Sequence, residues 1–102
     1  MESTLQGAYQ MALAGIESAG VVDGKKGVYL LSNGERSINN RLFVTYVGFT
    51  NNLRQSLIDK INENKGYQYF WYEEAVSEKE AREKALEYLE VYKKVHTVSS
   101  NF

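Results

Sequence analysis

The sequence predicts an α+β domain, in which a three-stranded antiparallel sheet is flanked by helices in the order α-β-β-α-β-α. Short runs of β-branched and aromatic residues at 27–31, 41–48 and 67–72 predict the strands. Apolar residues at helical spacing before, between and after these runs predict the helices. A chain of 102 residues with 43% apolar residues can bury one hydrophobic core. We therefore expect a single domain over residues 1–102, with a core at 27–95 and an N-terminal helical extension at 1–24.

The composition narrows the classes of function. The net charge is −1 and the pI is about 5.8, whereas dedicated duplex-binding proteins usually carry a basic excess. A nucleic-acid role would therefore need a local basic patch. The chain has no cysteine, which excludes disulfides and thiolate metal sites. No apolar run approaches the length of a membrane span, and no secretory leader pattern opens the chain. We expect a soluble, cytoplasmic protein that does not contact membranes.

The N-terminal segment has a helix-start pattern. Residues 3–6 read Ser-Thr-Leu-Gln, which matches a capping box, and apolar residues follow at helical spacing. Gly20 comes after these apolar residues and is expected to end the helix. The pattern predicts a helix over residues 4–19, and the Asp-Gly pair at 23–24 predicts a turn after it.

The next segment predicts a β-hairpin. The run at 27–31 (GVYLL) and the run at 41–48 (RLFVTYVG) are both β-prone. The polar stretch between them contains Asn33 and Gly34, a dipeptide that tolerates the positive φ angles of hairpin turns.

The second half of the chain predicts two helices around one strand. Asn51 or Asn52 can cap a helix with an apolar stripe, which Gly66 is expected to end. An aromatic strand at 67–72 follows. Residues 77–80 (Ser-Glu-Lys-Glu) form a second capping box, which predicts a long helix. The tail at 97–102 is expected to fray.

One constellation resembles a known family. Gly27-Val28-Tyr29 lies in the first predicted strand, and Tyr46-Val47-Gly48 lies in the second, directly before the segment 49–53 (FTNNL) and a helix. Over residues 27–92 this pattern resembles the GIY-YIG nucleases, whose core is a three-stranded antiparallel sheet flanked by helices. The resemblance implies that Tyr29, Tyr46 and Gly48 match the family's catalytic motif, in which the tyrosines orient or activate a water molecule.

The same resemblance implies that two other family residues are replaced. The position of the arginine that steadies the phosphate is Ser56, and the position of the metal-binding glutamate is Ala85. Lys60 stands where the family often has a histidine. Arg54 lies two residues from the arginine position, which is about 200° around a helix, so it points to the opposite side. The substitutions predict a degenerate member that keeps the scaffold, has no cofactor and has lost hydrolysis.

Three functions follow as hypotheses. The first is a pseudo-enzyme: a non-catalytic module that binds a nucleic acid or a protein where the family has its active groove. The second is an endonuclease that uses displaced residues and Mg²⁺ or Mn²⁺. The third is a plain protein-interaction or self-association domain, since exposed tyrosines suit interface cores. The candidate nucleic-acid contacts are the basic residues around the hairpin and on the second helix: Arg36, Arg41, Arg54 and Lys60.

Each functional interpretation has a structural alternative. Tyr29 and Tyr46 can be ordinary strand aromatics, because tyrosine favours half-buried sheets. The aromatic strand at 67–72 can be a base-stacking platform, or it can be core on one face and helix-covered on the other. The basic residues around the hairpin can be scattered, solvated charges.

Overall fold

The computed structural model describes residues 5–34, 44–93 and 98–100, which form five strands and three helices around one sheet. Within these ranges no helix is long and apolar enough to cross a membrane. In chain order the elements are β1 (Gln6–Gln10), α1 (Leu13–Ala19), β2 (Gly27–Ser32), β3 (Tyr46–Thr50), α2 (Leu53–Glu63), β4 (Tyr69–Glu74), α3 (Glu78–Tyr92) and β5 (Ser99–Ser100).

The predicted α+β class is confirmed, but the sheet is larger than predicted. The three expected strands are present as β2, β3 and β4, and β2 pairs antiparallel with both of the others. Two further strands extend the sheet, which has the order β1-β4-β2-β3-β5. Because β5 runs parallel to β3, the sheet is mixed and not purely antiparallel.

The central strand β2 is buried along its whole length, since helices cover both faces of the sheet. Alternate side chains of a strand point to opposite faces. Tyr29 and Leu31 pack against α1 and α2, on what we call the tyrosine face. Val28 and Leu30 pack against Ala85 of α3, on what we call the α3 face. The fold therefore has three layers, with α1 and α2 on one side and α3 on the other.

The predicted N-terminal caps of α2 and α3 are confirmed. The Asn52 side chain accepts a hydrogen bond from the N–H of Gln55, and Ser77 accepts one from the N–H of Glu80. The predicted end of α2 at Gly66 is wrong. Asn64 adopts the left-handed conformation with φ of 53° and ends the helix two residues earlier. Asparagine tolerates this conformation better than most residues. The strand that follows the helix starts at Tyr69, whereas the sequence predicted a start at residue 67.

The predicted helix over residues 4–19 is wrong over residues 5–12, and residue 4 lies outside the described part of the chain. Residues 6–10 form β1, which pairs antiparallel with β4, and the helix begins only at Leu13. Tyr9 on β1 lies with its ring centroid 5.5 Å from that of Phe70 and 6.2 Å from that of Tyr72. Pairing with an open sheet edge and this aromatic packing outweigh the local helix preference, which is a weak determinant.

The expectation that the C-terminal tail frays is wrong for residues 98–100. Val98 packs against the apolar cluster of the α3 face. The N–H of Ser99 donates a hydrogen bond of 2.9 Å to the carbonyl of Thr45, and Ser99 and Ser100 pair with the start of β3. The tail thus covers part of a strand edge that would otherwise be open.

A buried carboxylate links the sheet to α3. Glu73 of β4 lies on the α3 face and is only 5% exposed. It accepts a hydrogen bond from Lys84 at 2.6 Å and one from the hydroxyl of Tyr88 at 2.5 Å. A buried carboxylate is costly unless it is paired and hydrogen-bonded, so these contacts fix the position of α3 on the sheet.

We expect Glu73→Ala to lower the free energy of unfolding by about 1–3 kcal/mol, because it removes two charge-assisted hydrogen bonds to α3. Urea unfolding measures this. The matched control is Glu83→Ala, which removes an exposed carboxylate from α3 and should change stability by less than about 0.5 kcal/mol. Equal effects of the two substitutions would contradict a structural role for Glu73.

Candidate functional site: a tyrosine and lysine cluster

Tyr29 and Tyr46, the tyrosines of the predicted motif, lie side by side on neighbouring strands. Their rings stack with centroids 5.9 Å apart at an interplanar angle of 19°. Both are buried, with 3% and 7% of their surfaces exposed. Gly48 lies opposite Tyr29 in the β2–β3 ladder, and a Cβ at this glycine would come within 2.5 Å of the Tyr29 ring. Gly48 is therefore needed to make room for the tyrosine.

The last turn of α2 and the following loop complete the site. The ammonium group of Lys60 lies 4.1 Å from the centroid of the Tyr46 ring, in a cation–π arrangement. Its Nζ atom is 3.4 Å from a carboxylate oxygen of Glu63. Tyr67 packs against Tyr46 in an edge-to-face arrangement, with centroids 6.2 Å apart and an interplanar angle of 64°. We call these five residues, Tyr29, Tyr46, Lys60, Glu63 and Tyr67, the tyrosine–lysine cluster.

The protonation states of the cluster follow from burial and charge. Burial raises the pKa of Tyr29 above its ordinary value, and interactions with Tyr46 raise it further. Burial also raises the pKa of Tyr67, although the Lys60 charge opposes the shift. Burial alone would lower the pKa of Lys60, but its contacts with Tyr46 and Glu63 outweigh this and raise it. At neutral pH Lys60 is therefore a cation, and the phenols of Tyr29 and Tyr67 keep their protons.

Within the part of the chain that the structure describes, the cluster reaches solvent at the last turn of α2 and the residues after it. The side chains of Lys60, Glu63 and Lys65 are 15%, 37% and 65% exposed. Tyr67 beside them is half-buried. The accessible part of the cluster is thus the region around the C-terminal end of α2, where a ligand would meet the ammonium groups and Tyr67.

Arg54, a predicted nucleic-acid contact, joins α1 to α2 in the structure. Its guanidinium donates a hydrogen bond of 3.0 Å to the carbonyl of Val21 and forms an ion pair of 2.5 Å with Glu17. The hydroxyl of Tyr72 also donates to the carbonyl of Ala19, 3.1 Å away. These contacts hold α1 against the tyrosine face.

The two positions at which the family has its arginine and glutamate lie apart. The Ser56 hydroxyl is 2.6 Å from that of Thr50, at the end of β3. Ala85 is fully buried against the α3 face, so the sheet separates it from Tyr29 and Tyr46. The structure does not bring Ala85 together with the two tyrosines.

Arg36 and Arg41 lie outside the residues that the structure describes. Within 5–34, 44–93 and 98–100, no three His, Cys, Asp or Glu side chains come together as a metal site would require. The sequence interpretation placed Tyr67 in the candidate stacking platform at 67–72 and not in the motif site, and it did not include Glu63. The i, i+3 spacing of Lys60 and Glu63 on a predicted helix indicates that this pair can meet.

Comparison with family models, curated proteins and solved structures gives no match to this chain. The resemblance to GIY-YIG nucleases therefore stays a prediction from the sequence motif. What the structure adds is the geometry around the motif's tyrosines.

We expect Gly48→Ala to destabilise the protein by about 1–3 kcal/mol, because the added methyl group overlaps the Tyr29 ring. The same substitution in a Tyr29→Leu background should cost less, since the overlapping ring atoms are gone. Chemical unfolding of the parent, the two single variants and the double variant gives the coupling energy between the two positions. Additive effects would show that the two residues do not compete for space.

The raised pKa of Tyr29 predicts a pH dependence of stability. Above about pH 10 the unfolded chain releases this proton while the folded protein retains it, so stability should fall as pH rises. Unfolding titrations of the parent and of Tyr29→Phe measure this. The variant should lose less stability over the same alkaline range, with the remaining loss arising from the other groups whose pKa values are raised, including Lys60. Identical slopes would contradict the assignment to Tyr29.

Proposed function

We propose that this domain is a non-catalytic module on a GIY-YIG-like scaffold and that it binds nucleic-acid phosphates at the tyrosine–lysine cluster. The observation that carries the proposal is the Lys60 ammonium, held over the Tyr46 ring beside Tyr67 at the solvent-facing side of the cluster. A cation positioned by packing has lost part of its conformational freedom before a ligand arrives, which reduces the entropy cost of binding.

The donors at this surface suit a phosphate group. Lys60 and Lys65 are cations, and the phenol of Tyr67 is protonated at neutral pH, so its hydroxyl can donate a hydrogen bond. Phosphate oxygens are acceptors, and charge-assisted hydrogen bonds from lysine are among the stronger contacts in proteins. Phosphate contacts carry little sequence information, so we expect binding that tolerates different sequences and weakens with salt.

Binding without hydrolysis is supported by the positions of the groups that hydrolysis would need. Phosphodiester hydrolysis requires an activated nucleophile and a cation that stabilises charge in the transition state. Tyr29 is buried and holds its proton more tightly than a free tyrosine. Arg54 is occupied by Glu17 and Val21, and Ala85 lies across the sheet. The motif tyrosines therefore contribute to packing and to positioning Lys60.

Fluorescence anisotropy with labelled single-stranded DNA, duplex DNA and RNA tests this function. We expect binding that weakens as salt is raised, and about tenfold weaker binding for Lys60→Met, which removes one charge-assisted phosphate contact. The matched control is Lys93→Met. Lys93 forms the same i, i+3 pair with a glutamate on α3, away from the cluster.

The anisotropy experiment and a plasmid-cleavage assay separate this function from the other hypotheses. Equal weakening by Lys60→Met and Lys93→Met would contradict binding at the cluster. Failure of all three nucleic acids to bind would contradict the nucleic-acid assignment in favour of a protein partner. Cleavage of plasmid DNA with Mg²⁺ or Mn²⁺, abolished by Tyr46→Phe, would replace the binding module with a nuclease.

A further inference from the structure

We propose that Glu63 is an internal competitor for the ligand: its carboxylate occupies the place between Lys60 and Lys65 that a phosphate group of the nucleic acid takes when it binds. This inference rests on the proposed function and adds a means of regulating the affinity of the same site. It concerns a residue that the motif resemblance does not include.

The geometry shows two lysines sharing one carboxylate oxygen. Oε1 of Glu63 lies 3.4 Å from Nζ of Lys60 and 3.6 Å from Nζ of Lys65. The charge of Glu63 also extends to Tyr67, whose pKa it helps to raise. Two cations thus flank an anion that the chain itself supplies.

Glu63 is held loosely compared with other carboxylates of the same protein. The ion pairs Lys84–Glu73 and Lys93–Glu90 have N–O distances of 2.6 Å and 2.7 Å. Charge-assisted hydrogen bonds are usually about 2.7–2.9 Å long, so the contacts of Glu63 are weak. The side chain is also 37% exposed, and exposed ion pairs contribute little to stability.

The position of Glu63 in α2 further weakens its contacts with Lys60 and Lys65. It is the last residue of α2, where the partial negative charge of the helix end repels a carboxylate and attracts a lysine. Displacing Glu63 into solvent would relieve this repulsion, while Lys60 and Lys65 would keep a negative partner in the bound phosphate. The exchange therefore costs little and leaves no lysine unpaired.

Glu63→Gln keeps the size of the side chain and removes its charge, so it separates competition from packing. In the anisotropy assay with labelled single-stranded DNA, we expect Glu63→Gln to tighten binding by about threefold, the size of one weak surface ion pair. The matched control is Glu90→Gln on α3, which changes the net charge of the protein equally. Thermal unfolding of both variants checks that each is folded.

The outcomes separate this inference from the proposed function. If Lys60→Met weakens binding but Glu63→Gln leaves it unchanged or weakens it, the competitor role is overturned and the binding site stands. If Glu90→Gln tightens binding as much as Glu63→Gln, the effect is one of net charge and the inference is overturned. If none of the nucleic acids binds the parent protein, the proposed function fails, and the competitor role fails with it.

Discussion

The burial of β2 on both faces is the constraint on which the rest of this structure depends. A strand with all six residues buried must be paired on both edges and covered by apolar groups on both sides. Its neighbours β3 and β4 satisfy the backbone, α1 and α2 cover one face, and α3 covers the other. Small residues are then required where backbone and side chains approach closely. Gly48 is one example, because the Tyr29 ring fills the space above it.

The same constraint determines what the motif tyrosines can do. Tyr29 lies on the central strand, so its phenol is in the core and its pKa is raised by burial. Tyr46 lies one strand further out, where Lys60 can reach its ring. Among the described residues, the charged side chains of the cluster consequently meet solvent at the rim of the core, where α2 ends. Tyr46 lies beneath the Lys60 ammonium there.

The position of that rim depends on how α2 is bounded. The Asn52 cap starts the helix directly after β3, and the left-handed Asn64 ends it after three turns. This length places Lys60 and Glu63 in the last turn, above Tyr46. At the other end of the helix, Arg54 is held by Glu17 and Val21 of the N-terminal region. One helix therefore supplies a packing contact at its start and a charged surface at its end.

The sequence by itself determined the central strands, the two capped helices and the α+β class, because local patterns specify them. Asn52 and Ser77 cap their helices through neighbouring backbone groups, and the run at 27–31 is β-prone over its whole length. Only the tertiary structure decided the edge strands. Residues 6–10 have a helix-start pattern and become a strand by pairing with β4, and Ser99 is ordered by a partner more than fifty positions away.

The residues of the candidate site were likewise predicted in part from the sequence. The motif identified Tyr29, Tyr46 and Lys60, but the packing of α2 and Tyr67 brings them together, and the sheet separates them from Ala85. Such contacts depend on the pairing and packing of distant segments, which local sequence patterns do not encode.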